Sequence, residues 1–360
     1  MNKKFLGITN KGWYELRVLL TLIIIAFTIK STLIEIYIVP TGSMENTIMT
    51  GDMLVGNKFV YGMRTPPWIG LPYSRIGFEV PWIRFPKYKE VQSGDVTIFE
   101  FPRDPFQKYV KRCIGTPGDL IGIENGDIYI NQVNFPFPVE AKYLHEFRQQ
   151  PTEKGTGVFS KFDGNKDNIS PFTVPYKGME IAFNDVEDWN SVITLLVQDG
   201  NEVTISDKSF TVIDPQEIGR TRGFLKYMLM GVFMDKAKVR RLQNEDRISH
   251  IQNLISVNRK NGIYNPWDFR DVYKNHPQDI YNNLKVNGEF VKDLKDYEIK
   301  HDYYFFMGDN RDNSYDSRFW GFVPDYQILG TPLVSIINVF NLPGVFRLNF
   351  NDFLRFEYIK

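Results

Sequence analysis

The feature that most constrains this chain is a charge-free run near its start, Val18 to Ile29 (VLLTLIIIAFTI), preceded by Lys3, Lys4, Lys11 and Arg17. Such a run must leave water, either for a protein core or for lipid. It is shorter than the roughly 20 residues that a bilayer requires, so the h-region of a cleaved signal peptide and a buried core helix both stand as readings. Trp13 and Tyr14 suit a membrane interface, and Arg17 and Lys30 carry their charges on stems that can snorkel outward. These flanks predict a retained helix over 13–33 that crosses the membrane. Basic residues ahead of it put residues 1–12 in the cytoplasm and everything after about residue 34 on the outer side.

Composition removes several function classes. Forty-three basic residues balance 43 acidic ones, and no basic stripe with interleaved aromatics is visible, so nucleic acid is not an expected partner. Cys113 is the only cysteine, which excludes an intramolecular disulfide and a multi-cysteine zinc site. His145, His250, His276 and His301 lie far apart, and Gln149 stands where an HExxH motif beginning at His145 needs its second histidine. No metal and no other cofactor is expected.

Beyond the run, short β-rich segments separated by Gly, Pro and Asp predict a mainly antiparallel β domain. They are Ile36–Val39, Met53–Val60, Asp95–Phe101, Tyr109–Ile114 and Asp127–Ile130. Between Phe59 and Gly94 lies an aromatic and Pro-rich stretch that reads either as a lipid-touching patch or as a loop packed on the β domain. Residues 141–280 read as an insertion of mixed character. Within it, Asn184 and Glu187 form a capping box for a helix carrying Val186, Trp189, Ile193 and Leu196, with Gly200 beyond its end. A hairpin is predicted next, Val203–Ile205 and Phe210–Ile213 about Ser206-Asp207. Phe224–Met234 (FLKYMLMGVFM), bracketed by basic residues, is too short to span and reads as an interfacial or a core helix.

Chemistry enters with two residues. Ser43 lies in IVPTGSMENTIMTGD just after the apolar run, and by itself it is a turn serine. No GxSxG elbow is present and no histidine has a recognisable partner, so a Ser-His-Asp triad has no support. A serine can instead be activated by a neutral amine, provided a lysine is desolvated enough to lose its proton. Lys111 has the right setting, in the apolar strand KYVKRCIG, where alternation puts it on the face of Tyr109 and Cys113. A solvent-facing strand lysine remains the other reading.

Taken together, the blocks resemble bacterial type I signal peptidases in the family's order: PTGSM (Pro40 to Met44), GDMLVGNK (Gly51 to Lys58), YVKRCIGTPGD (Tyr109 to Asp119) and GDNRDNSYDSRFWGFVP (Gly308 to Pro324). The resemblance spans about residues 15–135 and 280–345, with a weaker likeness over 168–183. It implies that Ser43 is the nucleophile and Lys111 its general base. It further implies an oxyanion site from the Ser43 N–H and the Thr41 hydroxyl, beside Gly42, and an orienting role for Ser314 on the lysine. Gly308 and Asp309 would shape the turn beneath the site, an Asp316–Arg318 ion pair would brace the loop, and Ile38 and Met44 would wall the substrate pockets. Thr41 stands where the family has serine, and Asn46 where it has proline, a change expected to loosen the turn after the nucleophile.

The expected fold is therefore mainly β, a signal-peptidase-like antiparallel catalytic domain over 34–140 and 281–345, with a mixed α/β insertion over 141–280. An N-terminal transmembrane helix precedes it and a tail over 346–360 follows. The implied activity is removal of signal peptides from exported preproteins after small residues, with the signal peptide and the bilayer as partners. Two other readings stay open: a specialised or catalytically silent anchored relative acting as a binding protein, and a plasmid-transfer-type Ser/Lys protease.

Overall fold

The computed structural model describes residues 10–65, 68–70, 77–153, 158–212, 236–268, 277–338 and 354–359. The predicted helix at Phe224–Met234 lies outside the described residues, as do Lys3 and Lys4.

Helix α1 runs Asn10–Thr28 and gives way to a π-helical turn, Ile29–Leu33, before the chain turns extended at Ile34. Leu19, Leu20, Leu22, Ile23, Ile24 and Ile25 are exposed along it. No helix among the described residues is long and apolar enough to cross a membrane, which corrects the crossing helix expected over 13–33. The reason is positional. Lys11, Glu15 and Arg17 occupy the first half of α1, so its charge-free part, Val18 to Thr28, is about 16 Å long against roughly 30 Å of hydrocarbon.

The rest is mainly β. The principal sheet comprises β1 (Ile34–Ile38), β2 (Asp52–Asn57), β3 (Val96–Phe101), β4 (Asp104–Gly115), β5 (Tyr303–Met307), β6 (Val323–Pro324), β7 (Ile328–Asn338) and β8 (Leu354–Tyr358). Its order is β1-β2-β7-β3-β4-β5-β6, with β8 also on β7, and every pair is antiparallel. Strands distant in sequence are thus neighbours: β2 pairs with β7 across nearly the whole chain. Strand β4 starts five residues before the apolar pattern begins, because Gln107 and Lys108 break the alternation. They are accommodated by side-chain partners, Asp104 for Gln107 and Glu100 for Lys108.

A second antiparallel sheet of five short strands, including Leu120–Glu124, Asp127–Ile130 and Asn168–Thr173, shares a core with β5. A third sheet, ordered Ile263–Tyr264, Lys208–Phe210, Val203–Ile205, Leu284–Val286 and Glu289–Phe290, draws three strands from the region read as an insertion and two from beyond residue 280, with one parallel pair, Lys208–Phe210 on Ile263–Tyr264. Helix α2 (Trp189–Gln198) packs on that sheet through Trp189, Ile193 and Leu196. The capping box does not form: Asn184 lies in a 3-10 turn, Val186 is extended, and the helix begins at Trp189 after Asp188. At its other end Gly200 takes φ +80°, a left-handed cap that the Asn201 N–H closes on the Leu196 carbonyl. The polar stretch beyond forms a helix, Lys236–Lys260.

Candidate active site

Strand β1 leads into Val39, Pro40, Thr41 and Gly42, and Ser43 follows at the edge of a tight turn closed by the Thr47 and Ile48 N–H groups on the Met44 carbonyl. Asn46 in that turn has φ +79°. Proline fixes φ near −65° and cannot take this shape, so asparagine matches the turn rather than loosening it.

Strand β4 brings Lys111 to the same place, where its Nζ hydrogen-bonds to Ser43 Oγ. The two residues are 4% and 9% exposed. Lys111 also sits 5.5 Å above the Tyr109 ring, as strand alternation requires. Burial is the main influence on its amine and lowers the pKa from 10.5 to about 8; Asp316 and Asp309 raise it from farther off, and Arg318 lowers it. Among the described residues no carboxylate is in ion-pairing contact with Lys111.

The next residue has the opposite setting. Arg112 points to the other face of β4 and forms a two-pronged ion pair with Asp309, Nε to Oδ1 at 2.9 Å and Nη2 to Oδ2 at 2.7 Å. Thr47 donates its hydroxyl to the same carboxylate. Asn310 ties this loop to the nucleophile turn, its N–H on the Ser43 carbonyl at 3.1 Å and its Nδ2 on the Gly42 carbonyl at 3.0 Å. Sequence reading passed over Arg112, Thr47 and Asn310; all three lie inside or beside the quoted motif blocks, which was the available signal.

Asp316 and Arg318 are buried and pair through Nε–Oδ1 and Nη2–Oδ2, both at 2.9 Å. Asp316 also accepts from the Gly308 N–H at 3.0 Å. Gly308 has no room for a side chain: a Cβ there would lie 2.2 Å from Ser314 Oγ and 2.5 Å from the Ser43 carbonyl oxygen. Ser314 itself is buried beside the site, yet among the described residues its hydroxyl makes no hydrogen bond to Lys111; it lies instead close enough to the Asp316 carboxylate to help hold that group ionised.

A cleft of about 790 Å³ opens over these residues. Ser43, Lys111, Thr41, Ser314, Ile38 and Met44 all line it, so the structure gathers every side chain expected at the reacting centre or its pockets. Ile38 is exposed on the wall and Met44 buried in the floor. Gly308, Asp309, Asp316 and Arg318 lie beneath. A buried amine with a lowered pKa on a serine hydroxyl, beside an open cleft between two strands, is equipped for nucleophilic attack on an extended peptide.

A family model described as "Signal peptidase, peptidase S26" matches residues 13–186 and 245–337. A signal peptidase I of Buchnera aphidicola from Acyrthosiphon pisum is 24% identical over 84% of this chain and 68% of its own length. A signal peptidase I of Pseudomonas fluorescens is 36% identical over 27% of this chain and 30% of its own length. One of Rickettsia bellii OSU 85-389 is 34% identical over 32% of this chain and 39% of its own length. A crystal structure of a signal peptidase I from Enterococcus faecalis V583 aligns at 17% identity and a TM-score of 0.21, covering 68% of this chain and 97% of that one, a likeness too loose to weigh.

Proposed function

This chain belongs to the signal peptidase family, peptidase S26, and on that premise we propose that it removes N-terminal signal peptides from exported preproteins by a Ser/Lys dyad. The observation that carries the reading is the buried Lys111 amine set on Ser43 Oγ with no carboxylate among the described residues in contact. An amine with a pKa near 8 is neutral in about one molecule in five at pH 7.4, against about one in a thousand for an ordinary lysine, and that neutral form takes the serine proton as Oγ attacks the scissile carbonyl. The proton then passes to the leaving amine, and an acyl-serine remains for water to cleave. In this mechanism the Ser43 N–H and the Thr41 hydroxyl hold the oxygen that turns negative. Ser314, which lines the same cleft, orients the lysine once substrate fills it.

Substrate lies in the cleft as an added strand between β1 and β4. Ile38 and Met44 wall shallow apolar pockets, which suits small residues, of the Ala-x-Ala kind, at the first and third positions before the cut. The exposed leucines and isoleucines of α1 attach the chain to the cytoplasmic membrane. Lys11 and Arg17 ahead of them suit the anionic headgroups of that surface. The exposed Phe78, Trp82, Ile83 and Phe85 suit the same lipid surface.

The test is cleavage of a preprotein with an Ala-x-Ala site in detergent, wild type beside Ser43→Ala. Cleavage at that site by the wild type, reduced to background in the variant, is expected. Equal cleavage by both would sink the dyad, and none by either would point to a silent binding protein.

A further inference from the structure

The 3-10 turn Pro266–Asp268 belongs to the region read as an insertion, yet its Trp267 reaches the catalytic loop. Trp267 Nε1 donates to the Trp320 carbonyl at 2.7 Å, and its ring packs against the cores on both sides of β5. Over that ring, 5.9 Å from its centroid, sits the Arg103 guanidinium. Arg103 Nη1 in turn donates to the Tyr315 hydroxyl at 3.1 Å. Tyr315 lies between Ser314 and Asp316 and lines the cleft.

Tyr315 is 44% exposed, so it stands at the cleft mouth with little burial to fix it. Its ring stacks on Phe319 at 5.7 Å and meets Phe101 edge-on at 6.2 Å, and Phe101 stacks on Tyr109, which lies beneath the Lys111 amine. Without the bond from Arg103 an aromatic ring at this exposure samples several rotamers. A guanidinium on an indole face is itself held, because cation and ring attract at this distance.

We infer that Tyr315 is a specificity-determining wall of the substrate cleft, and that Trp267 and Arg103 are its positioning residues. The inference rests on the cleft being where preprotein binds. Through this relay the inserted region sets the shape of a cleft that the catalytic strands alone leave open. An aromatic shelf running from Tyr109 through Phe101 to Tyr315 and Phe319 fits an apolar substrate side chain that clears the two small pockets.

The test uses the full chain and the same preprotein, with KM and kcat measured separately for Arg103→Ala, Tyr315→Phe and the double variant. Tyr315→Phe keeps the ring and removes only the oxygen that accepts from Arg103. Each single variant is expected to raise KM about three- to tenfold, the worth of one hydrogen bond, with kcat and its pH dependence unchanged. The double variant is expected to be no worse than Arg103→Ala alone, because the bond that Tyr315→Phe removes is already lost there. Trp267→Phe, which keeps an aromatic ring in the core, is expected to raise KM without adding to Arg103→Ala. Unchanged KM, additive effects, or a fall in kcat would each overturn the relay. Ser43→Ala in the same assay separates the two claims: if it is inactive while Arg103→Ala keeps wild-type KM, the relay alone fails.

Discussion

Two buried cations, Lys111 and Arg112, are consecutive on one strand and live in opposite worlds. On the loop side, Arg112 meets Asp309 in a two-pronged pair, and nearby Arg318 does the same with Asp316. On the cleft side, Lys111 meets a serine hydroxyl and an aromatic ring. A charge buried with its counter-ion is offset by that partner, whereas a charge buried without one is relieved by losing its proton. The paired side therefore holds shape and the unpaired side does chemistry. Strand alternation is all that separates them, so a one-residue slip of β4 would exchange the roles.

The sharpest way to break the comparison is Lys111→Met, which fills the space with an apolar chain and removes the base. Preprotein cleavage is expected to fall at least about 10³-fold in steady-state assays, as when other members of catalytic units are removed. Arg112→Ala attacks the other side. It leaves Asp309 charged and buried, and should lower stability by about 3–5 kcal/mol in urea titrations. Activity should then fall only as far as the folded fraction does.

Lys111→Met sharpens the contrast again when its stability is followed against pH. Unfolded, Lys111 keeps its proton to about 10.5; folded, it loses it near 8. Between those values the unfolded chain binds more protons, so this group's contribution to stability rises with pH. The cost is fully present below about 8 and gone above about 10.5. Lys111→Met should thus be more stable than wild type at pH 6 to 7, and its lead should shrink by on the order of 2 kcal/mol by pH 9.5. A paired lysine would give the reverse, a variant less stable at neutral pH.

Much of this was legible in the sequence, and the failures have physical causes. Asp127–Ile130 was read to the residue, since Gly126 and Asn131 mark both of its ends with left-handed backbone. Ser43 and Lys111 were found by the company they keep in motif blocks, and the structure does bring them together. The start of β4 was missed because Lys108 looks like a solvent residue until Glu100 is placed beside it. Helix α2 was begun too early because a capping box is a local signal, while Val186 is held extended by the core it joins. The crossing helix failed because Lys11, Glu15 and Arg17 share one helix with the apolar run and leave its charge-free part too short, so apolar flanks could not make up the length. Arg112 with Asp309, and the reach of Trp267 to Arg103, depend on contacts between segments far apart in sequence, which no pattern within one segment encodes.

The central claim is that Lys111 is neutral when it meets substrate, and the pH dependence of kcat/KM for preprotein cleavage tests it most directly. That profile reports the free enzyme's essential base. The expected result is a rising limb with an apparent pKa near 8, shed by the free enzyme before substrate binds. A profile that stays flat down to about pH 5 would contradict it, because no lysine in this setting could then be the base.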